Sequence, residues 1–228
     1  MIKLNATQLQ NAVGMSAESA ALWLTAVNEA GQDCDLNSLE RWVMWLAQCS
    51  HESARFTRLA ESFNYDAKRL LIIFPKYFDA ESAAKVARSD KAPANQRAIA
   101  EIVYGGRMGN RPGTTDAWDF RGGGLIQLTG RDNWQAASDH LGLDLIAEPD
   151  LIRTNRRYAA KSSAFFWDER HLNGFADRGD LRGATKAING GYNGMDERIA
   201  CLERAKGAFG GSAAAELARI LGRPAPAP

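Results

Sequence analysis

The chain has 228 residues, 45% hydrophobic and 24% charged, enough to bury a core as one domain or as one domain with a small second lobe. Its 28 lysines and arginines stand against 27 acidic residues, a net charge of +1, so no global field favours nucleic acid or an anionic surface. Cys34, Cys49 and Cys201 form no CxxC pair, which argues against a disulfide framework or a zinc knuckle and points to buried, reduced thiols.

The first residues, Met1-Ile2-Lys3-Leu4-Asn5-Ala6-Thr7-Gln8, turn polar too early for the apolar region of a secretory signal. No run approaches membrane-spanning length; Leu70-Leu71-Ile72-Ile73-Phe74 is cut short by Pro75. Synthesis in the cytoplasm and no stable membrane association are expected.

Helices are predicted over 16–30 and 36–53. The second starts at Asn37-Ser38-Leu39-Glu40, with Asn37 as cap and Glu40 three residues on, as in a capping box. Leu39, Trp42, Val43, Leu46, Ala47 and Ser50 then share one face. At roughly 100° per residue, Glu52 lies about 150° from the centre of that stripe, beside Trp45 and Gln48. The pattern predicts a helix with one side in the core and a carboxylate, an amide and an indole on the other. Shorter helices are predicted at 66–74, 80–88, 94–103, 131–141, 155–170, 179–188, 195–208 and 212–221. Only Leu125–Leu128 alternates as a strand would, as part of a small hairpin. Residues 105–124, rich in Gly, Pro, Asp and Thr, read as a long ordered loop, a kind of segment that is often functional. Residues 223–228 alternate proline and alanine after an arginine and read as an extended tail.

Two carboxylates carry the chemical reading. Glu52 ends the Trp-rich helix in Ser50-His51-Glu52-Ser53, and Glu61 follows nine residues later in Ala60-Glu61-Ser62-Phe63-Asn64. Glycosidic cleavage with inversion needs a protonated acid for the leaving oxygen and a base that activates water on the opposite face of the sugar. Partial burial beside aromatic and apolar neighbours suits Glu52 to the acid role. The Asn- and Ser-containing stretch around Glu61 suits an ionised base. Taken alone, a glutamate at a helix end is more often solvated surface.

A third segment, Arg121-Gly122-Gly123-Gly124-Leu125-Ile126-Gln127-Leu128-Thr129-Gly130, would by itself be a glycine-rich turn before a helix. Together these strings resemble glycoside hydrolase family 19, the chitinase-like group that includes phage and prophage endolysins. Gly105-Gly106-Arg107-Met108-Gly109-Asn110, Phe74-Pro75-Lys76-Tyr77-Phe78 and Ala187-Ile188-Asn189-Gly190-Gly191-Tyr192-Asn193-Gly194 are similar to further family segments, so the matches run from about residue 40 to about 206. The resemblance implies Glu52 as general acid, Glu61 as base, and the Thr129 hydroxyl as the group that positions the attacking water. It implies sugar contacts for Gln127, Asn133 and Asn189, with Lys161 a further substrate-facing candidate. Arg198 would support the acid from behind; its bland alternative is a surface salt bridge. Many endolysins of the group carry arginine where this chain has Gly123, and plant-type chitinases carry a glutamate after the two glycines that is absent here. Trp118 and Trp134 could stack on sugars, although core packing is the commoner fate of tryptophan.

His51-Glu52 does not open a zinc-protease motif, because position 55 is Arg55, and only His140 and His171 remain as other imidazoles. No P-loop, dinucleotide fingerprint or serine-hydrolase elbow occurs. Chemistry without metal or cofactor is expected. The resemblance implies a mainly α, two-lobed, lysozyme-like fold with a central cleft, formed by one catalytic domain over residues 1–222. The preferred expectation is a monomeric endolysin-type hydrolase of bacterial peptidoglycan that reaches the cell wall with the help of a separate membrane-permeabilising lysis protein. The alternatives are a chitinase acting on N-acetylglucosamine polymers and a non-catalytic glycan-binding module.

Overall fold

Short polar side chains start most of the helices by accepting from a backbone amide two or three residues on. Asn5 does this for Gln8, Ser16 for Ser19, Ser38 for Arg41, Asp66 for Arg69, Asp79 for Ser82, Asn95 for Ala98 and Asp180 for Gly183. The structure, a computed structural model, describes residues 2–210. The predicted helix at 212–221 and the tail at 223–228 lie outside the described residues.

The described residues form α1 (Ala6–Val13), α2 (Ala17–Asp33), α3 (Leu39–Glu52), α4 (Ala67–Ile73), α5 (Ala80–Val86), α6 (Gln96–Tyr104) and α7 (Asp116–Asp119). They continue with α8 (Arg131–Leu141), α9 (Leu151–Thr154), α10 (Arg156–Glu169), α11 (Asn173–Asp177), α12 (Leu181–Asn189) and α13 (Met195–Ala208). The fold is mainly α, as the sequence predicts. Four short helices, α1, α7, α9 and α11, were not predicted. They run four to eight residues, too short for an apolar period to declare itself.

The chain divides into two compact units. The first takes residues up to Leu59, Gly124–Ile126, and the chain from Leu151 onward. Its centre is α3, which packs against α1, α11 and α13, while α10 lies along α2. Trp42 through Ser50 are all buried, and Trp42 and Trp45 meet edge to face at 6.0 Å. The expected open face of α3 is therefore closed: Trp45 and Gln48 are both 0% exposed. The amphipathic reading failed because α13 covers the side that was to face outward. The cap also differs. Ser38 caps α3, and Asn37 instead donates to Asp35, so the capping box is absent.

The second unit comprises Ala60–Gly123 and Gln127–Asp150. Phe63, Leu70, Phe78, Ile99 and Val103 form its apolar centre, with Phe63 edge to face on Tyr104 at 5.7 Å. Trp134 is fully buried and donates its indole N–H to the Leu128 carbonyl. The hairpin expected around Leu125–Leu128 shrinks to isolated antiparallel bridges, Ala60 to Gly123 and Gly123 to Leu128. Gln127 adopts φ 55, a turn conformation that ends any ladder there.

Candidate active site

In the first unit, α3 delivers Glu52 as its last residue, with the side chain half-buried. Arg198 rises from α13 and is 1% exposed. Its guanidinium donates Nη2 to Glu52 Oε1 and Nη1 to Gln48 Oε1, while Gln48 donates to the Thr185 hydroxyl at 3.1 Å. Thr185, Gln48, Arg198 and Glu52 thus form one continuous polar chain through the core. Burying a guanidinium is tolerable only with such partners. Arg198 is no surface ion pair. The expected aromatic and apolar setting of Glu52 is corrected here: its immediate neighbour is a buried cation.

Just past Glu52 the backbone turns through three consecutive left-handed residues, Ala54 (φ 48), Arg55 (φ 60) and Phe56 (φ 65). Each costs energy for a side chain with a Cβ, so the surroundings must impose them. Ser53 does so in part, donating its hydroxyl to the Cys49 carbonyl and accepting from Phe56 N–H. Phe56 then anchors the turn edge-on against Trp23 at 5.1 Å. His51, beside Glu52, places Nδ1 3.2 Å from Glu197. Burial and the Arg198 charge lower its pKa, so the imidazole favours the neutral form.

Two further candidates lie in this unit. Asn189 is exposed at the last position of α12. Lys161, on α10, sits 2.5 Å from the Asp33 carboxylate on α2, so its ammonium already has an anionic partner.

In the second unit, Glu61 accepts from the Tyr104 hydroxyl at 3.0 Å through Oε1 and from Gly122 N–H at 2.9 Å through Oε2. Its own backbone N–H donates to the Gly122 carbonyl at 2.9 Å. The carboxylate is thus bracketed by a phenol and an amide. Burial, and then the Glu61 charge, push the Tyr104 phenol well above its ordinary range, keeping it a donor. A Cβ on Gly122 would come within 2.9 Å of Gln127 Oε1 and 3.1 Å of Glu61, so a larger residue here would push on both side chains.

Gln127 therefore flanks the same glycine as Glu61. Its carbonyl accepts the Thr129 hydroxyl at 2.8 Å, and Asn133 donates to the Thr129 carbonyl at 2.7 Å. Glu61, Gln127, Thr129 and Asn133 all belong to the second unit; Glu52, Lys161, Asn189 and Arg198 belong to the first. Trp118 presents its ring to the guanidinium groups of Arg121 at 3.8 Å and Arg97 at 5.5 Å. Tyr104 and Gln48 were missed as site residues. Nothing local marks them, since each acquires meaning only through a partner 43 or 150 residues away.

No family model matches the chain. A family 19 glycosyl hydrolase domain-containing protein of Haemophilus influenzae is 39% identical over 157 residues, 68% of this chain and 73% of that protein. Chitinase 8 of rice is 48% identical over 48 residues, 21% of this chain and only 18% of its own length. Among solved structures, a bacterial family 19 chitinase aligns with TM-score 0.59 at 19% identity, covering 90% of this chain and 94% of that one. Chitinase C of Streptomyces griseus aligns with TM-score 0.53 at 18% identity, covering 98% and 78%. These structures share the fold, and the sequence relationship defines the protein as a glycoside hydrolase. The chain belongs to glycoside hydrolase family 19.

Proposed function

We propose that the protein hydrolyses the β-1,4 bonds of bacterial peptidoglycan by single displacement with inversion, as an endolysin-type enzyme. Glu52 protonates the leaving oxygen. Glu61, assisted by the Thr129 hydroxyl, activates the water. Gln127, Asn133, Asn189 and Lys161 contact the sugars, and Arg198 holds Glu52 in place from within the core. The observation that supports this reading is that both carboxylates are held in place, Glu52 by the buried Arg198 guanidinium and Glu61 by the Tyr104 phenol and the Gly122 amide. The enzyme acts as a monomer, is made in the cytoplasm and reaches the wall when a separate lysis protein breaches the membrane.

A second reading, chitin hydrolysis, is favoured by the chitinases among the relatives and structural neighbours. Digestion of purified peptidoglycan beside N-acetylglucosamine oligomers, read by mass spectrometry, separates the two. Muropeptides with new reducing ends support the peptidoglycan reading; cleavage of the oligomers alone overturns it.

A further inference from the structure

Arg198 touches Glu52 with one arm only. Its Nη2 donates to Glu52 Oε1, its Nη1 to Gln48 Oε1, and its Nε to the Asn193 carbonyl at 3.3 Å. A guanidinium can fork a carboxylate through Nη1 and Nη2, or through Nε and Nη2. Both forks are closed here, because a neutral acceptor occupies the other nitrogen in each case. The same chain shows the open alternative twice. Arg41 grips Asp177 through Nε and Nη2 at 2.7 Å each, and Arg111 grips Asp116 through Nε at 2.8 Å and Nη2 at 2.9 Å. Each forked carboxylate is held below its ordinary pKa, chiefly by those hydrogen bonds. A general acid must instead carry a proton when the reaction begins, so a forked arginine would work against it.

Gln48 is suited to prevent the fork. It is fully buried, and its amide serves in one orientation, since a guanidinium offers donors alone and must be met by the amide oxygen. Thr185 on α12, also fully buried, holds that orientation by accepting from Gln48 Nε2 at 3.1 Å. We propose that Gln48, oriented by Thr185, is a positioning residue of the reaction: by occupying Nη1 it confines Arg198 to a single arm on Glu52. Arg198 then fixes the carboxyl through Oε1, and Oε2, which accepts no hydrogen bond among the described residues, stays open to deliver the proton. This role rests on Glu52 acting as the general acid.

The test is the pH dependence of kcat/KM on a soluble oligosaccharide that the wild type cleaves, with urea unfolding beside it. Wild type is compared with Gln48→Met, Thr185→Val, Thr185→Ser and Glu52→Gln. Methionine keeps the length of glutamine and removes the acceptor, which frees Nη1 to join Nη2 on Glu52. The alkaline limb, where the acid loses its proton, should move down by about one pH unit in Gln48→Met. It should move in the same direction in Thr185→Val, whereas Thr185→Ser keeps the wild-type limb. His51, Glu197, Arg55 and Arg58, charged or titratable groups around the last turn of α3, are unaltered in all of these variants. An unmoved limb in Gln48→Met and Thr185→Val overturns the role even where stability falls, since lost packing alone leaves the limb in place. If Gln48→Met does not fold, Thr185→Val against Thr185→Ser decides. Full activity of Glu52→Gln sinks the acid assignment itself; an inactive Glu52→Gln with unmoved limbs elsewhere sinks only the positioning role.

Discussion

Arg198 and Glu52, 146 residues apart, meet through a guanidinium that is almost wholly removed from water. The same guanidinium holds Gln48, so one side chain ties α13 to two turns of α3. Glu52→Gln should keep the fold and lose at least about a hundredfold in kcat, the usual contribution of a general acid. Arg198→Ala should lose activity and also stability, by about 3 kcal/mol, because it strips two acceptors of their buried donor. Urea unfolding beside kcat measurements checks both. Equal stability of Arg198→Ala and wild type would contradict the packing described.

Tyr104 is the corresponding partner of Glu61. Tyr104→Phe removes one hydroxyl and should lower kcat about tenfold with little change in KM, as expected for a hydrogen bond to a charged group. Steady-state kinetics on a soluble oligosaccharide checks this. An unchanged kcat would mean that the Tyr104 contact does not orient the base.

Gly31 on α2 faces the Trp42 indole so closely that a Cβ would overlap the ring. Gly31→Ala should therefore destabilise the first unit by about 1–3 kcal/mol, as overpacking does, in spite of alanine's better helix propensity. A thermal melt that shifted upward would show that the indole can move aside.

Acid should weaken the second unit through Asp116. Arg111 donates to both of its oxygens and holds its pKa at about 2, below the ordinary 3.8. A carboxylate depressed in the folded state stabilises the protein above its unfolded pKa, and that stabilisation fades as pH falls from about 4 to about 2. The full effect is about 2 kcal/mol. Asp116→Asn should be less stable than wild type at pH 6, with the gap closing by pH 2. Denaturant midpoints measured across that range decide it.

Much of this was legible in the sequence because it is local. The helical class, nine of the helices and the Arg121–Gly130 string follow from periodicity, caps and resemblance. Gln48 shows where such reading stops. Periodicity assigned it to an open face of α3, yet α13 packs there, and the amide is satisfied by Arg198 of α13 and Thr185 of α12. Tyr104 closes α6 with no local sign that its hydroxyl meets a glutamate two helices earlier. Contacts between distant segments are set by packing, which a linear pattern does not encode.

The division of roles between Glu52 and Glu61 is tested most directly by the anomeric configuration of the first product. Proton NMR of an early digest of a β-1,4-linked oligosaccharide that the wild type cleaves would report it before mutarotation. Single displacement predicts the α-anomer, released first and absent with Glu52→Gln. The β-anomer would mean a retaining reaction and would contradict the assignment of Glu61 as the base that activates water.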